Sequence, residues 1–324
     1  MAVMTIVQAL NLALKQEMAR NKNIILMGED VGGNGGVFRV TDGLQKQFGE
    51  TRVFDTPLAE LGIVGTAVGM AIAGLHPVVE IQFDGFMYGA FDELISHAAR
   101  MRNRSRGVFT CPLLVRAPYG AGVKALEHHS ESMEALYAHI PGLMMIIPSS
   151  PREAKGLLAS ALRSEDPVVF YEPKRLYRAI KEEVPEEEYL IPLGKARVVR
   201  EGSDVTLIAW GSMLYTVLQT VEQYKDKYSI EVIDVRTISP LDSTTLIASV
   251  KKTGRCVIVH EAPRSFGPGA EIAAQIVEKA FLNLQAPVMR VTGFDTIVPL
   301  YKLENYYLPD VKRVGAAIEE VMGF

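Results

Sequence analysis

Six side chains could do chemistry together if folding gathers them: Glu29, Glu60, Gln82, Phe86, His128 and His129. Glu60 stands out in "FDTPLAELGIVGTAVGMAIAG", where it is followed by fourteen residues without a charged side chain. A carboxylate at the mouth of an apolar helix is costly unless it is paired. One reading is a first-turn glutamate favoured by the helix dipole. The other takes Leu58, Leu61, Ile63 and Val64 as a shield from water that pushes the carboxyl's pKa upward. Such a group can bond a ring nitrogen and exchange a proton near neutral pH. Glu29 follows the apolar run "NIILMG" and opens a glycine-rich turn, "EDVGGNGG". That turn matches neither the P-loop nor the dinucleotide fingerprint. Gln82 and Phe86 follow the strand-like "HPVVEI", at the end of a strand where open α/β sheets bind ligands. His128 and His129 lie in "EHHSES", ahead of a helix for which Ser130 is a candidate cap. The pair is either solvated or a source of general acid chemistry, since histidine titrates near neutrality. No metal-ligand spacing accompanies it, so no metal site is expected on these residues.

These residues need a scaffold. Apolar runs at "NIILMGE", "TRVFDTP", "HPVVEIQF", "PLLVRAP", "LMMIIPS" and "PVVFYEP" read as strands buried on both faces of a parallel sheet. Helices are expected between them at about 5–20, 60–74, 86–104, 131–138 and 151–163, the last with Ser150 as cap and Pro151 at its first position. Residues 174–194 are charged and carry two prolines, which reads as a linker. A second series of strands follows at "DVTLIAWG", "SIEVIDVRTI", "RCVIVHEA" and "PVMRVTG", with helices at about 213–226, 241–250, 269–282 and 311–322. The expected architecture is α/β, two doubly wound domains spanning 1–185 and 186–324.

Composition excludes several classes. A net charge of −4 over 324 residues offers no field for nucleic acid or an anionic membrane surface. The N-terminus lacks the basic start and cleavage site of a signal peptide, and no apolar run is long enough for a membrane span, so a cytoplasmic location is expected. Cys111 and Cys256 sit in strand-like runs and read as buried free thiols.

Taken in order, "GEDVGGNGGVFRVTDGL", "FDTPLAELGIVGTAVGMA", "EIQFDGFMYGAFDEL", "HHSES", "IPSSPREAKGLL" and "DPVVFYEPKRLYR" resemble the beta subunits of thiamine-diphosphate-dependent 2-oxo acid dehydrogenases, the decarboxylating components of the pyruvate and branched-chain complexes. The likeness runs to the C-terminal "TGFDTIVPLYKLENYYLPD". It implies a pyrimidine-binding domain followed by a transketolase-C-terminal-like domain. It implies that Glu60 hydrogen-bonds the aminopyrimidine ring of thiamine diphosphate and favours its imino tautomer. Glu29 and Leu58 would line the same pocket, Gln82 and Phe86 would flank the pyrimidine, and His129 would serve acyl transfer to a lipoyl group. His128 matches a position that varies in the family. The segment "GDG", through which this cofactor class holds Mg²⁺ and diphosphate, does not occur in the chain. A separate alpha subunit would supply it, in an alpha-two beta-two heterotetramer active only when assembled. A structural K⁺ ion held by carbonyls and docking to a lipoyl acyltransferase core are also family properties, and the smaller domain would pack subunits together. "HHSES" and "YYLPDVKR" lean towards the branched-chain members. Other readings are a pyruvate- or acetoin-specific member of the same family, a self-sufficient transketolase-like enzyme, for which the chain is short, and a non-catalytic assembly subunit.

Overall fold

The computed structural model describes residues 1–324 and contains two large sheets and a two-stranded ribbon. The strands are β1 (Ala2–Met4), β2 (Ile24–Gly28), β3 (Val53–Asp55), β4 (His76–Glu80), β5 (Leu114–Tyr119), β6 (Met144–Ile146), β7 (Val168–Pro173), β8 (Glu182–Val184), β9 (Arg197–Arg200), β10 (Val205–Ala209), β11 (Ile230–Asp234), β12 (Thr237–Ser239), β13 (Cys256–Pro263) and β14 (Met289–Gly293). The larger sheet runs β12-β6-β7-β5-β4-β2-β3, parallel except for β12. Strands β2, β4, β5 and β7 are buried at every position, which explains their unbroken apolar runs. The smaller sheet runs β14-β13-β10-β11-β9, with β9 antiparallel at its edge. The α/β class with two doubly wound units is therefore present.

In the first sheet the chain lays β3 on one side of β2, then returns to lay β4 on the other. This reversal opens a crevice beyond the C-terminal ends of β2 and β4, where ligands bind in open α/β sheets.

Local signals account for the helices that begin where expected. Thr5 closes a capping box with Gln8 at the start of Ile6–Arg20. Ser150 accepts from the Glu153 amide, with Pro151 at the first position of Pro151–Ala161. Asp242 caps Ser243–Thr253. The Glu60–Ile72 helix has no side-chain cap; its apolar face, Ile63, Val64, Ala67, Val68 and Ala71, holds it to the core.

Three expectations need correction. The single helix over 86–104 is instead a 3₁₀ turn (Asp84–Ala90), a π-helical segment (Glu93–Ala98) and a short α turn (Met101–Arg104). Changes of winding of this kind concentrate at functional sites. The helix expected over 131–138 starts at Glu134 without a side-chain cap, so Ser130 is not its cap; the Ser130 hydroxyl is buried without a partner. Residues 174–194 are not a free linker. Lys174, Leu176 and Tyr177 are buried, and β8 pairs antiparallel with β1. Strands β1, β8 and β9 are too short, and the last two too charged, to stand out from sequence alone.

The two sheets are joined by the largest of the apolar clusters, which links Val79, Val115 and Tyr171 of the first unit to Ile208, Trp210, Ile233 and Ile258 of the second. The strand-like "SIEVIDVRTI" splits, and its second part, β12, crosses over to pair with β6 of the larger sheet. Polar groups reinforce the junction. Glu153, buried, accepts from Arg197 at 2.6 Å and Arg236 at 2.7 Å, and Ser149 donates to Asp234 at 2.9 Å. Burial, then the nearby Glu153 carboxylate, push the Asp234 carboxyl up to about 7. A folded pKa above the unfolded one favours the neutral acid, so this contribution is present at low pH and lost as pH rises from about 4 to about 7. Asp234→Asn, which stays neutral, is expected to gain melting temperature relative to the wild type across that window; parallel melting curves against pH for the two proteins would exclude this role.

Candidate active site

The crevice gathers the sequence candidates. Glu29 follows the last residue of β2, and Gln82 lies two residues beyond β4. Glu60 begins the helix after β3. Phe86 sits in the 3₁₀ turn Asp84–Ala90, and His129 ends a second 3₁₀ turn, Glu127–His129, beyond β5.

Gln82 Nε2 donates to Asp30 Oδ2 at 3.1 Å, tying the ends of β4 and β2 together. Asp30 has a positive φ, a left-handed conformation that aspartate tolerates better than most residues. Glu29 is buried, and its carboxyl is raised by burial first and then by the charges of Glu60 and Asp30. Glu60 itself is half-buried, and beside it Gly89 offers no side chain; a Cβ built there would lie 3.8 Å from the Glu60 Cβ. The water shield expected from Leu58 and Leu61 is absent within this chain: they are 78% and 56% exposed, while Ile63 and Val64 face the core. The reason is geometric. Leu58 precedes the helix, and Leu61 falls on the face that the core does not cover.

His129 is clamped by two rings. Its imidazole lies 4.2 Å from the Phe83 ring and 5.1 Å, edge-on, from the Phe86 ring. The two phenyls meet edge to face at 5.7 Å, a favoured aromatic geometry. Burial, followed by the charges of Lys174 and His128, pushes the His129 pKa below its ordinary value. Its Nδ1 is buried without a hydrogen-bond partner. The two 3₁₀ turns touch at Gly85, where a Cβ would collide with the His128 carbonyl oxygen, so no larger residue fits without moving the histidines. His128 lies on the outer side, with its ring 6.5 Å from that of Tyr88.

Beneath the crevice a charged ladder spans three strands. Arg116 on β5 donates to both oxygens of Glu172 on β7, at 2.7 and 2.8 Å, and also to Glu80 on β4. Paired bonds of this kind are the strong form of the arginine–carboxylate contact. Tyr177 donates to Glu172 at 2.5 Å. All four side chains are buried. Glu80 and Glu172 lie two residues ahead of Gln82 and Lys174, so the ladder fixes the strand ends that carry site residues.

Asp30, Phe83 and Lys174 belong to the site but were not singled out in the sequence. Asp30 and Phe83 adjoin chosen residues, and adjacency was the only signal. Lys174 sits in a charged stretch that reads as solvated, and only the fold buries it.

Known proteins share both halves of this arrangement. Residues 2–180 match the family described as transketolase, pyrimidine binding domain, and residues 194–314 match the transketolase C-terminal domain. A split-gene transketolase solved as an inactive beta4 tetramer shares the fold at 21% identity, with a TM-score of 0.81 over 99% of this chain and 98% of that one. The two domains, in this order, define a transketolase-like protein. A pyruvate dehydrogenase E1 component subunit beta from Acholeplasma laidlawii is 54% identical over 99% of this chain and 98% of its own, and one from Staphylococcus aureus is 50% identical over the full length of both. The chain belongs to the beta-subunit family of 2-oxo acid dehydrogenases.

Proposed function

We propose that this chain is the beta subunit of a pyruvate dehydrogenase decarboxylating component, working with an alpha subunit on thiamine diphosphate. The observation that carries the reading is the convergence of Glu29, Glu60, Gln82, Phe86 and His129 on one crevice of a pyrimidine-binding domain that lacks a diphosphate-binding segment. The side chains suit an aminopyrimidine. A half-buried carboxylate, an amide and a phenyl ring can together grip a flat, nitrogen-bearing ring, with the His129 imidazole packed against Phe86 beside them.

Thiamine diphosphate supplies the carbanion chemistry when bound. In this reading the chain's own residues set its protonation and position. Glu60 would bond the pyrimidine ring nitrogen, and Glu29, whose carboxyl is raised by burial and by the charges of Glu60 and Asp30, lies beside it. Gln82 and Phe86 hold the ring in place. His129, kept neutral by burial and Lys174, accepts or returns a proton during acyl transfer to a lipoyl dithiolane. Leu58 and Leu61, with the exposed Tyr88 and Leu126, form an apolar rim that an alpha subunit would cover, and that subunit would bring Mg²⁺ and its ligands. Closure of this rim would then exclude water from Glu60, and Leu58 would line the pocket. The boundary near 185/186, the alpha-two beta-two stoichiometry, the K⁺ ion and docking to an acyltransferase core belong to the same proposal.

The relatives' names favour pyruvate over the branched-chain substrates suggested by the "HHSES" and C-terminal motifs. Reconstitution with a cognate alpha chain, thiamine diphosphate and Mg²⁺ is expected to give a higher kcat/KM with pyruvate than with 3-methyl-2-oxobutanoate. The reverse order would return the substrate to the branched-chain class, and no turnover with either would reject the enzymatic reading.

A further inference from the structure

We infer that the second domain positions the histidine loop of the first, with Glu304 and Glu261 as positioning residues. This rests on the role proposed above for His129. The loop leaves β5 at Gly120 and is closed at its base by a bond from the Gly120 amide to the Glu131 carbonyl, 2.7 Å. His128 and His129 lie within it. The first backbone amides of the loop take their acceptors from the other domain. The Ala121 amide donates to Glu261 at 2.9 Å. The Gly122 amide donates to Glu304 at 2.9 Å, and the Lys124 amide donates to both oxygens of Glu304, at 3.0 and 3.2 Å. Lys174 holds the Gly120 carbonyl.

Both carboxylates are built into place. Glu304 is 1% and Glu261 2% exposed. Ser212 donates to Glu261 at 2.5 Å, fixing its second oxygen. Glu304 opens the short helix Glu304–Tyr307, and Tyr307 and Leu308 pack on Ala121. The loop is shaped to meet them. Gly120 has a positive φ, and a Cβ there would lie 2.7 Å from a Glu261 carboxylate oxygen. Only glycine allows both the conformation and the approach. Hydrogen bonds from amides to a carboxylate are roughly twice as strong as those between neutral groups, and buried amides must be satisfied somewhere. Here the buried Ala121 amide, and the less buried Gly122 and Lys124 amides, find their acceptors across a domain boundary. The second domain is then part of the active site's geometry as well as a packing unit: a shift of either carboxylate moves the backbone that leads to His129.

The test uses the full chain with its alpha partner. In Glu304→Ala, amide hydrogen exchange across residues 120–131 is expected to quicken about tenfold or more, with protection elsewhere retained. Glu304→Gln, which keeps one acceptor, should lie between. Reductive acylation of a lipoyl domain should fall about ten- to a hundredfold, and by more than decarboxylation measured with an artificial electron acceptor. Unchanged loop exchange in both variants would overturn the anchoring. Faster exchange with equal loss of the two half-reactions, or with no loss, would overturn the positioning of His129. Should Glu304→Ala fail to fold, Glu304→Gln carries the same readouts. If the wild-type pair decarboxylates no 2-oxo acid, the functional reading falls, while the exchange experiment still decides the anchoring.

Discussion

Glu60→Gln, assembled with an alpha partner, is expected to lose about 10²–10⁴-fold in decarboxylation rate while keeping its fold and its assembly. The amide has the size and reach of the carboxyl but can neither hold nor return a proton at the ring nitrogen. Stability should hardly change, because Glu60 is half-buried and caps nothing; the helix it begins is secured by Ile63, Val64 and Ala67. The informative comparison is steady-state turnover against melting temperature and the mass of the assembled complex. Near wild-type turnover would remove Glu60 from the chemistry, and a fall in melting temperature matching the fall in rate would make it a structural residue. A companion measurement at Glu29 separates the two carboxyls: Glu29 is buried and its raised pKa depends partly on the Glu60 charge, so Glu60→Gln should bring the Glu29 pKa down.

Arg116→Met should produce the largest loss of stability, about 3–5 kcal/mol. The guanidinium is the cation that faces both Glu80 and Glu172 within the buried ladder, and its removal strands two carboxylates. Most of that cost is the desolvated charge left behind. Replacing the whole network should therefore restore much of the stability: Arg116→Met with Glu80→Gln and Glu172→Gln leaves no charge in the ladder and keeps an acceptor for Tyr177. Denaturant unfolding of the single and triple variants measures this. A single variant within about 1 kcal/mol of wild type would show that the ladder does not hold the strand ends.

Signals that act between near neighbours in the chain were legible in the sequence. Buried parallel strands announce themselves through unbroken apolar runs, so β2, β4, β5, β7, β10, β11 and β13 could be read. The helix start at Ser150 could be read because a cap is a contact over one turn. The winding of 84–104 could not; at Gly85 this segment meets the His128 backbone, a close approach from another part of the chain that local spacing does not signal. Residues 174–194 look solvated because charge dominates them, yet Lys174 finds its partner at Gly120, and β8 finds its partner at the N-terminus.

For the candidate site, motif order pointed to Glu29, Leu58, Glu60, Gln82, Phe86 and His129, and the absence of "GDG" pointed to a second chain. Most of these residues share a place at or just beyond the C-terminal ends of strands, which apolar patterning is enough to locate. The tertiary structure decided the rest. It put Glu29 among the carboxyls biased towards the protonated form, because burial and neighbouring charge act through space. It left Leu58 and Leu61 open, because Leu58 precedes the helix and Leu61 lies on the face that the core does not cover. It also brought Glu261 and Glu304, distant in the chain and in the other domain, onto the loop that carries His129. The sequence by itself determined most of the buried strands, the family and the residues with chemical potential, since these are carried by local pattern. Charge environment and loop anchoring were decided only in the folded chain, because both depend on distances between segments that sequence spacing does not encode.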